Sequence, residues 1–272
     1  MQYLLPQHAL SRLVLAATRV RTSWFKNALT RAFLRHYPVD LGEAEQPDPF
    51  VYASFNAFFT RALRTDARPI AQGAADLASP VDGTVSECGR INGDALLQAK
   101  GRIYTLPDLL AGQAWADRFA GGQFATIYLA PFNYHRIHMP LGGRLLDCIY
   151  VPGRLFSVNA ATALGVPRLF ARNERVLTRF DSAAGQFALV LVGALNVGSM
   201  ATVWAGDITP RWPRVVTRLP DQPVSLDKGA ELGRFNMGST VILLLEPGRA
   251  RWDDFLRPGA TLRVGQRIGQ II

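Results

Sequence analysis

Lysine is nearly missing from this 272-residue sequence: Lys26, Lys100 and Lys228 stand against 27 arginines. A carrier domain that works through a lysine on an exposed turn therefore has three candidates at most. Cysteine is as scarce. Cys88 and Cys148 are the only two, and neither lies in a CxxC pair or a zinc-ligand spacing. Two reduced thiols in a cytoplasmic protein are the simplest reading, and sequence leaves a disulfide between them open. No apolar run approaches the ~20 residues that span a bilayer. Leu13–Ala17 is too short for a signal-peptide core and runs straight into Arg19 and Arg21, so export is not expected. The chain also lacks the Gly-x-Ser-x-Gly elbow, a P-loop and a Rossmann glycine pattern after a strand. At 49% hydrophobic residues it can still bury a sizeable core, which excludes a disordered chain.

Acidic residues are absent before Asp40, while Arg12, Arg19, Arg21, Lys26, Arg31 and Arg35 all precede it. Most of the net charge of +9 thus sits at one end, where it suits a polyanionic partner. Residues 8–37 read as helix. Leu10, Leu13, Val14, Ala17, Trp24, Phe25, Ala28, Leu29 and Phe33 recur at three- and four-residue spacings, and Arg12, Arg19 and Lys26, seven apart, would share a face. Such a segment can lie in a membrane interface or pack on the protein body, and the missing acids favour the membrane. No folded nucleic-acid motif accompanies the cations, so nucleic acid is not expected as a partner.

Pro38 and the acidic stretch Glu43–Pro49 read as a linker. Ser54 looks like the N-cap of a helix running to Leu63, and Thr105 like the cap of a short helix stopped by Gly112. Beyond Pro69 short β-type runs alternate with turns: Gly83–Ser86, Phe124–Leu129, Leu145–Val151, Phe187–Val192, Val197–Trp204 and Thr240–Leu245. The expected class is α+β: a helical region over residues 1–66, then a β-rich body over 67–272.

Few residues could carry chemistry. His135 and His138 sit three apart in Tyr134-His135-Arg136-Ile137-His138-Met139-Pro140. They could bind a metal, move a proton or simply pack. No acid lies between Gln123 and Arg144 to complete a metal site, so none is expected. On a strand this spacing puts the rings on opposite faces; on a tight turn they could converge. Asp82, in Pro80-Val81-Asp82-Gly83, is first a turn signal and alternatively a carboxylate that orients an imidazole. Ser239 follows Gly238 and opens an apolar strand. A glycine there frees the backbone for the serine hydroxyl to approach its own preceding carbonyl.

Taken together these blocks resemble the bacterial phosphatidylserine decarboxylases. The resemblance runs from about Phe58 to the C-terminus through Phe58-Phe59-Thr60-Arg61-Ala62-Leu63-Arg64, Pro80-Val81-Asp82-Gly83, Gln98-Ala99-Lys100-Gly101 and the double-histidine block. It continues through Tyr150-Val151-Pro152-Gly153, Leu155-Phe156-Ser157-Val158-Asn159, Phe170-Ala171-Arg172-Asn173-Glu174-Arg175 and Gly233-Arg234-Phe235 to Gly238-Ser239-Thr240. Met237 replaces the usual leucine of the last motif, a volume-conserving change. The first 50 residues resemble the family in character only.

The resemblance implies a self-cleaving chain with a lipoyl-like β-layer in its body. Asp82, His138 and Ser239 would correspond to the cleavage triad, with His138 as base and Asp82 holding its tautomer. Attack on the Gly238 carbonyl would split the chain into a β chain, 1–238, and a 34-residue α chain, 239–272. Ser239 would become a covalent pyruvoyl group (a bound pyruvate), which accepts the electrons of decarboxylation through a Schiff base with the substrate amine. His135 would serve near the protonation step. The implied partners are phosphatidylserine and an anionic membrane surface, with the two chains remaining as a heterodimer and its further dimerisation open. The implied location is peripheral, on the cytoplasmic face of the bacterial cell membrane. A Ser/His/Asp hydrolase without self-cleavage and a lipoyl-type carrier are the rival readings.

Overall fold

The computed structural model describes residues 6–99, 101–195, 199–208, 215–219 and 223–272. Lys100 of the Gln98–Gly101 block and Val197 and Gly198 of one expected strand lie outside them. Two helices open the chain, α1 (Gln7–Thr18) and α2 (Ser23–His36), where the sequence suggested one. The break at Arg19–Thr22 carries no glycine or proline. Thr22 precedes α2 without a side-chain cap bond, while Arg19 is drawn off to Asp207 at 2.5 Å. Arg12, Arg19 and Lys26 consequently do not share a helix face. Lys26 is buried and donates to the Phe50 carbonyl at 2.6 Å.

These helices face the wrong way for a water-soluble surface. The buried residues of α1 are Gln7, Ser11 and Thr18, and those of α2 are Lys26 and Thr30. Leu13 and Trp24 instead stand 67% and 73% exposed. An amphipathic helix on a soluble protein buries its apolar stripe. Here polar groups make the docking contacts, such as Gln7 Oε1 accepting from the Leu155 amide at 2.9 Å. The inner side of α2 is mixed, since Leu29, Phe33 and Leu34 pack on Phe55, Phe58 and Phe59. Those phenylalanines belong to α3 (Phe55–Phe59), capped by Ser54 Oγ accepting from Ala57 N–H at 3.1 Å; α3 ends four residues before the expected Leu63. No described helix is long and apolar enough to cross a membrane.

The body is strand-rich, as the runs beyond Pro69 predicted, and the class is α+β. Its main sheet runs, in spatial order, Thr217–Arg218, Gly143–Val151, Arg175–Ser182, Gly185–Val192, Thr240–Leu245, Gln123–Tyr128, Gly83–Arg90 and Thr261–Leu262, with Ser225–Leu226 also paired to Gly143–Val151. All these pairings are antiparallel. Thr240–Leu245 is wholly buried and pairs residue for residue with a strand on each side. That explains its unbroken Val-Ile-Leu-Leu-Leu: a strand covered on both faces has no solvent side to alternate towards. The expected strand at Val197–Trp204 is present as Met200–Thr202. It joins Gly206–Asp207, Glu231–Phe235 and Arg136–His138 in a second, four-stranded sheet. A third sheet holds Asp76–Ala78, Arg267–Ile271 and Ala250–Trp252. Neither Cys88 nor Cys148 is in a disulfide.

Candidate active site

Ser239 lies where the chain passes from one sheet to another. Glu231–Phe235 belongs to the four-stranded sheet and Thr240–Leu245 to the main one, so Asn236–Ser239 spans between them. Both ends are fastened. The Asn236 amide donates to the Ser199 carbonyl at 2.9 Å, and the Asn236 carbonyl accepts from Asn56 Nδ2 at 2.7 Å. On the other side the Leu129 amide donates to the Ser239 carbonyl at 2.8 Å. Ser239 is 1% exposed, and its Oγ has no hydrogen-bond partner.

Strand pairing decides which histidine meets this serine. Phe235 donates its amide to the His135 carbonyl, whereas His138 pairs opposite Glu231 at the far end of the ladder. Three residues of strand cover roughly 10 Å. The rings also point to opposite faces: His135 and Ile137 are fully buried, while Arg136 and His138 are partly exposed. His135 Nε2 lies 3.3 Å from where a side chain on Gly238 would begin. His135 Nδ1 sits 2.8 Å from the Asn133 carbonyl, which can only accept, so Nδ1 carries the proton. Nε2 is then a bare lone pair, buried and without a partner. Phe59 packs on the ring with centroids 4.0 Å apart. Burial, above all, lowers the pKa of His135 from 6.5 to about 3, so the ring is neutral at physiological pH.

This burial has a stability signature. The unfolded chain takes a proton on His135 near 6.5 and the folded one only near 3. Stability is therefore expected to fall as the pH drops through that interval, because the unfolded state binds the extra proton. In a Ser239→Ala background, which keeps one chain, denaturant midpoints at about pH 7 and about pH 5 should diverge more with His135 present than with His135→Asn added. Equal losses would remove His135 as the source.

His138 and Asp82 are engaged elsewhere. His138 Nδ1 donates to the Gly229 carbonyl at 2.7 Å, and Nε2 accepts from the Tyr134 hydroxyl at 3.1 Å. Its pKa is lowered, chiefly by burial. Asp82 is gripped by Arg68 Nε and Nη2, at 3.0 and 2.6 Å, and accepts the Val264 amide at 2.8 Å. Arg68 also holds Glu43 at 2.7 Å, and Arg263 reaches the same carboxylate at 2.9 Å. Burial works against the Arg68 cation, but its bonds to Asp82 and Glu43 outweigh that and raise its pKa. Asp82, His138 and Ser239 are thus not hydrogen-bonded to one another. Sequence had no signal for Arg68, Tyr134 or Asn133 in these places.

Against the loop lies a cavity of about 290 Å³, mostly apolar, bordered by Gly238, Ser239, Met237, Phe59 and, from α2, Phe33 and Tyr37. Of the three lysines open to a carrier, Lys26 is buried, Lys228 donates to the Gly73 carbonyl at 2.8 Å, and Lys100 lies outside the described residues.

A buried serine and a neutral imidazole beside its preceding peptide, next to a mostly apolar cavity bordered by Phe33 of α2 and Phe59 of α3, fit an enzyme that works on amphiphiles. Comparison with known proteins makes the class definite. The family model described as phosphatidylserine decarboxylase matches residues 55–270, and a second, described as PSD, matches residues 1–38, which extends the likeness into the helical region. Among curated proteins, the phosphatidylserine decarboxylase proenzyme of Azotobacter vinelandii is 52% identical, covering 99% of this chain and 96% of its own. Those of Pseudomonas fluorescens and Alcanivorax borkumensis are 51% and 50% identical, over 98% and 99% of this chain and 95% and 94% of theirs. The chain is a decarboxylase. It belongs to the phosphatidylserine decarboxylase family.

Proposed function

We propose that the protein decarboxylates phosphatidylserine to phosphatidylethanolamine, using a pyruvoyl group made from its own Ser239. One observation carries the reading: Ser239 Oγ and His135 Nε2, a donor and an acceptor, are both buried without partners on either side of Gly238. His135 Nε2 takes the hydroxyl proton as Oγ bonds to the Gly238 carbonyl carbon. It returns that proton to the Ser239 nitrogen as the peptide bond breaks. The resulting ester loses Gly238 as a carboxylate by β-elimination. Water then replaces the nitrogen of the dehydroalanine end, releasing ammonia and leaving the ketone. That ketone supplies the electron sink that no natural side chain offers for the carbanion of decarboxylation. The same His135, its Nε2 beside Gly238 at the cavity's border, is the residue we assign to reprotonation of the substrate's α-carbon. Asp82, bonded to Arg68 and Val264, and His138, bonded to Gly229 and Tyr134, are assigned positioning roles.

Intact-mass analysis of the purified wild type tests this. Two chains divided before residue 239 are expected, the 34-residue one lacking a free amine and reacting with a hydrazide. One undivided chain in active protein overturns the cofactor.

We read residues 1–66 as the membrane-associating region and 67–272 as catalytic, with the protein peripheral on the cytoplasmic face of the cell membrane. Deleting residues 1–37 is a blunt test, since it would uncover Phe55, Phe58 and Phe59. Leu13→Glu with Trp24→Glu is cleaner, because both side chains are exposed. The pair is expected to cut binding to anionic vesicles at least tenfold and leave the fold's thermal midpoint in place. Unchanged binding rejects this surface.

A further inference from the structure

A second cavity opens at the corner between α1 and α2, where Asn236 of the Asn236–Ser239 loop borders it. Its volume is about 480 Å³, and Arg19, Arg21 and Arg234 line it with Asn56, Asn236 and Asp207. None of its lining residues borders the cavity at Ser239. The charges do not balance. Asp207, the only carboxylate lining it among the described residues, is already shared between Arg19 at 2.5 Å and Asn236 Nδ2 at 3.0 Å. Arg234 reaches Glu231 only at 3.6 Å, and Glu231 also serves Arg136 at 2.8 Å. Arg21 has no ion pair among the described residues. Asn56 and Asn236, at 8% and 4% exposure, form a buried polar floor fixed by the Asn56 bond to the Asn236 carbonyl. This is a basic recess with one cation unanswered, and arginine is the side chain best shaped to fork onto phosphate oxygens.

Its position says what brings the phosphate. Arg19 and Arg21 sit in the link between two helices whose exposed Leu13 and Trp24 point away from the body. Trp24 follows Arg21 by three residues, so lipid immersion of the tryptophan would bring the recess to headgroup depth. We propose that the recess holds the phosphate of an anionic membrane lipid, a second lipid distinct from the one being decarboxylated. The proposal rests on the membrane-associated reading above. It adds a specific headgroup site to what would otherwise be diffuse attraction.

Co-sedimentation of the whole protein with phosphatidylcholine vesicles containing phosphatidylglycerol tests it, since neither lipid is the substrate and no turnover is needed. An arginine that contributes only diffuse charge is worth roughly fivefold in binding. Arg12→Ala and Arg35→Ala are expected to show that loss. Arg21→Ala, which removes a forked charged hydrogen bond, is expected to cost on the order of twentyfold, with Arg19→Ala between. Equal losses in all four variants would overturn the site. So would displacement from vesicles by inorganic phosphate at matched ionic strength, which would make it a site for free phosphate. Turnover of a short-chain, monomeric phosphatidylserine by Arg21→Ala should match the wild type. A collapse of that turnover would place Arg21 in the substrate site and also end the proposal. A protein that binds vesicles as expected but never decarboxylates would sink the catalytic reading alone.

Discussion

His135→Ala is expected to accumulate as one undivided chain, with cleavage slowed 10²- to 10⁴-fold, the usual worth of a positioned general base. Ser239→Ala should be undivided altogether, because no oxygen nucleophile remains. The informative comparison is His138→Ala. The His138 ring is tied to Gly229 and Tyr134, three residues along the chain from His135 and on the opposite face of the strand. Its loss should slow cleavage far less than that of His135, and mainly by loosening the strand. Electrophoresis of freshly translated chains over time reads both rates. If His138→Ala stays undivided while His135→Ala splits at the normal rate, the base is His138, as the family resemblance suggests, and the sheet must rearrange to bring it there.

Arg68→Ala is expected to destabilise the fold by about 3–5 kcal/mol, since it would leave Asp82, at 7% side-chain exposure, without a cation and Glu43, at 20%, with Arg263 alone. Arg68 is itself only 9% exposed, so little water stands ready to replace it. Hydrogen bonding to Arg68 is the leading cause of the lowered Glu43 pKa, so the variant, with most of that depression gone, should lose less further stability than the wild type on acidification below the ordinary carboxylate range. The measurement belongs in a Ser239→Ala background, where a single chain makes a two-state denaturant analysis meaningful. A loss below about 1 kcal/mol would mean that solvent enters and that the cluster behaves as a surface ion pair. The network also ties residues 263 and 264 to residues 43, 68 and 82, so it spans the two pieces that cleavage would create.

Much of this was legible beforehand, and the illegible parts have physical causes. Thr240–Leu245 could be read because six buried positions leave a continuous apolar run, and the caps at Ser54 and Thr105 because each hydroxyl accepts a bond three residues on. The gap between α1 and α2 was not readable. It follows from contacts with Asp207 and Phe50, far away in sequence or across a loop, and not from a helix breaker. The spacing of His135 and His138 announced opposite faces if they lay on a strand. It could not say which face Ser239 would meet, because that is set by the register of Glu231–Phe235 against Arg136–His138. The buried arginine at position 68 left no trace, since nothing local distinguishes it from 26 others.

The mooring of Ser239 has a further consequence for traffic. It stands immediately before a strand whose every residue is bonded into a neighbour on both edges, and its own carbonyl is held by Leu129. A reactive group at such a place has no reach. Carriers with a long flexible lysine arm deliver their cargo by swinging; here the protein end is stationary, and the lipid must do the travelling. In the proposed membrane placement the headgroup would rise from the bilayer into a cavity bordered by Phe33 and Tyr37, to a fixed point. Lipids that leave their neighbours easily, with shorter or more unsaturated tails, should then be consumed faster than tightly packed ones bearing the same headgroup.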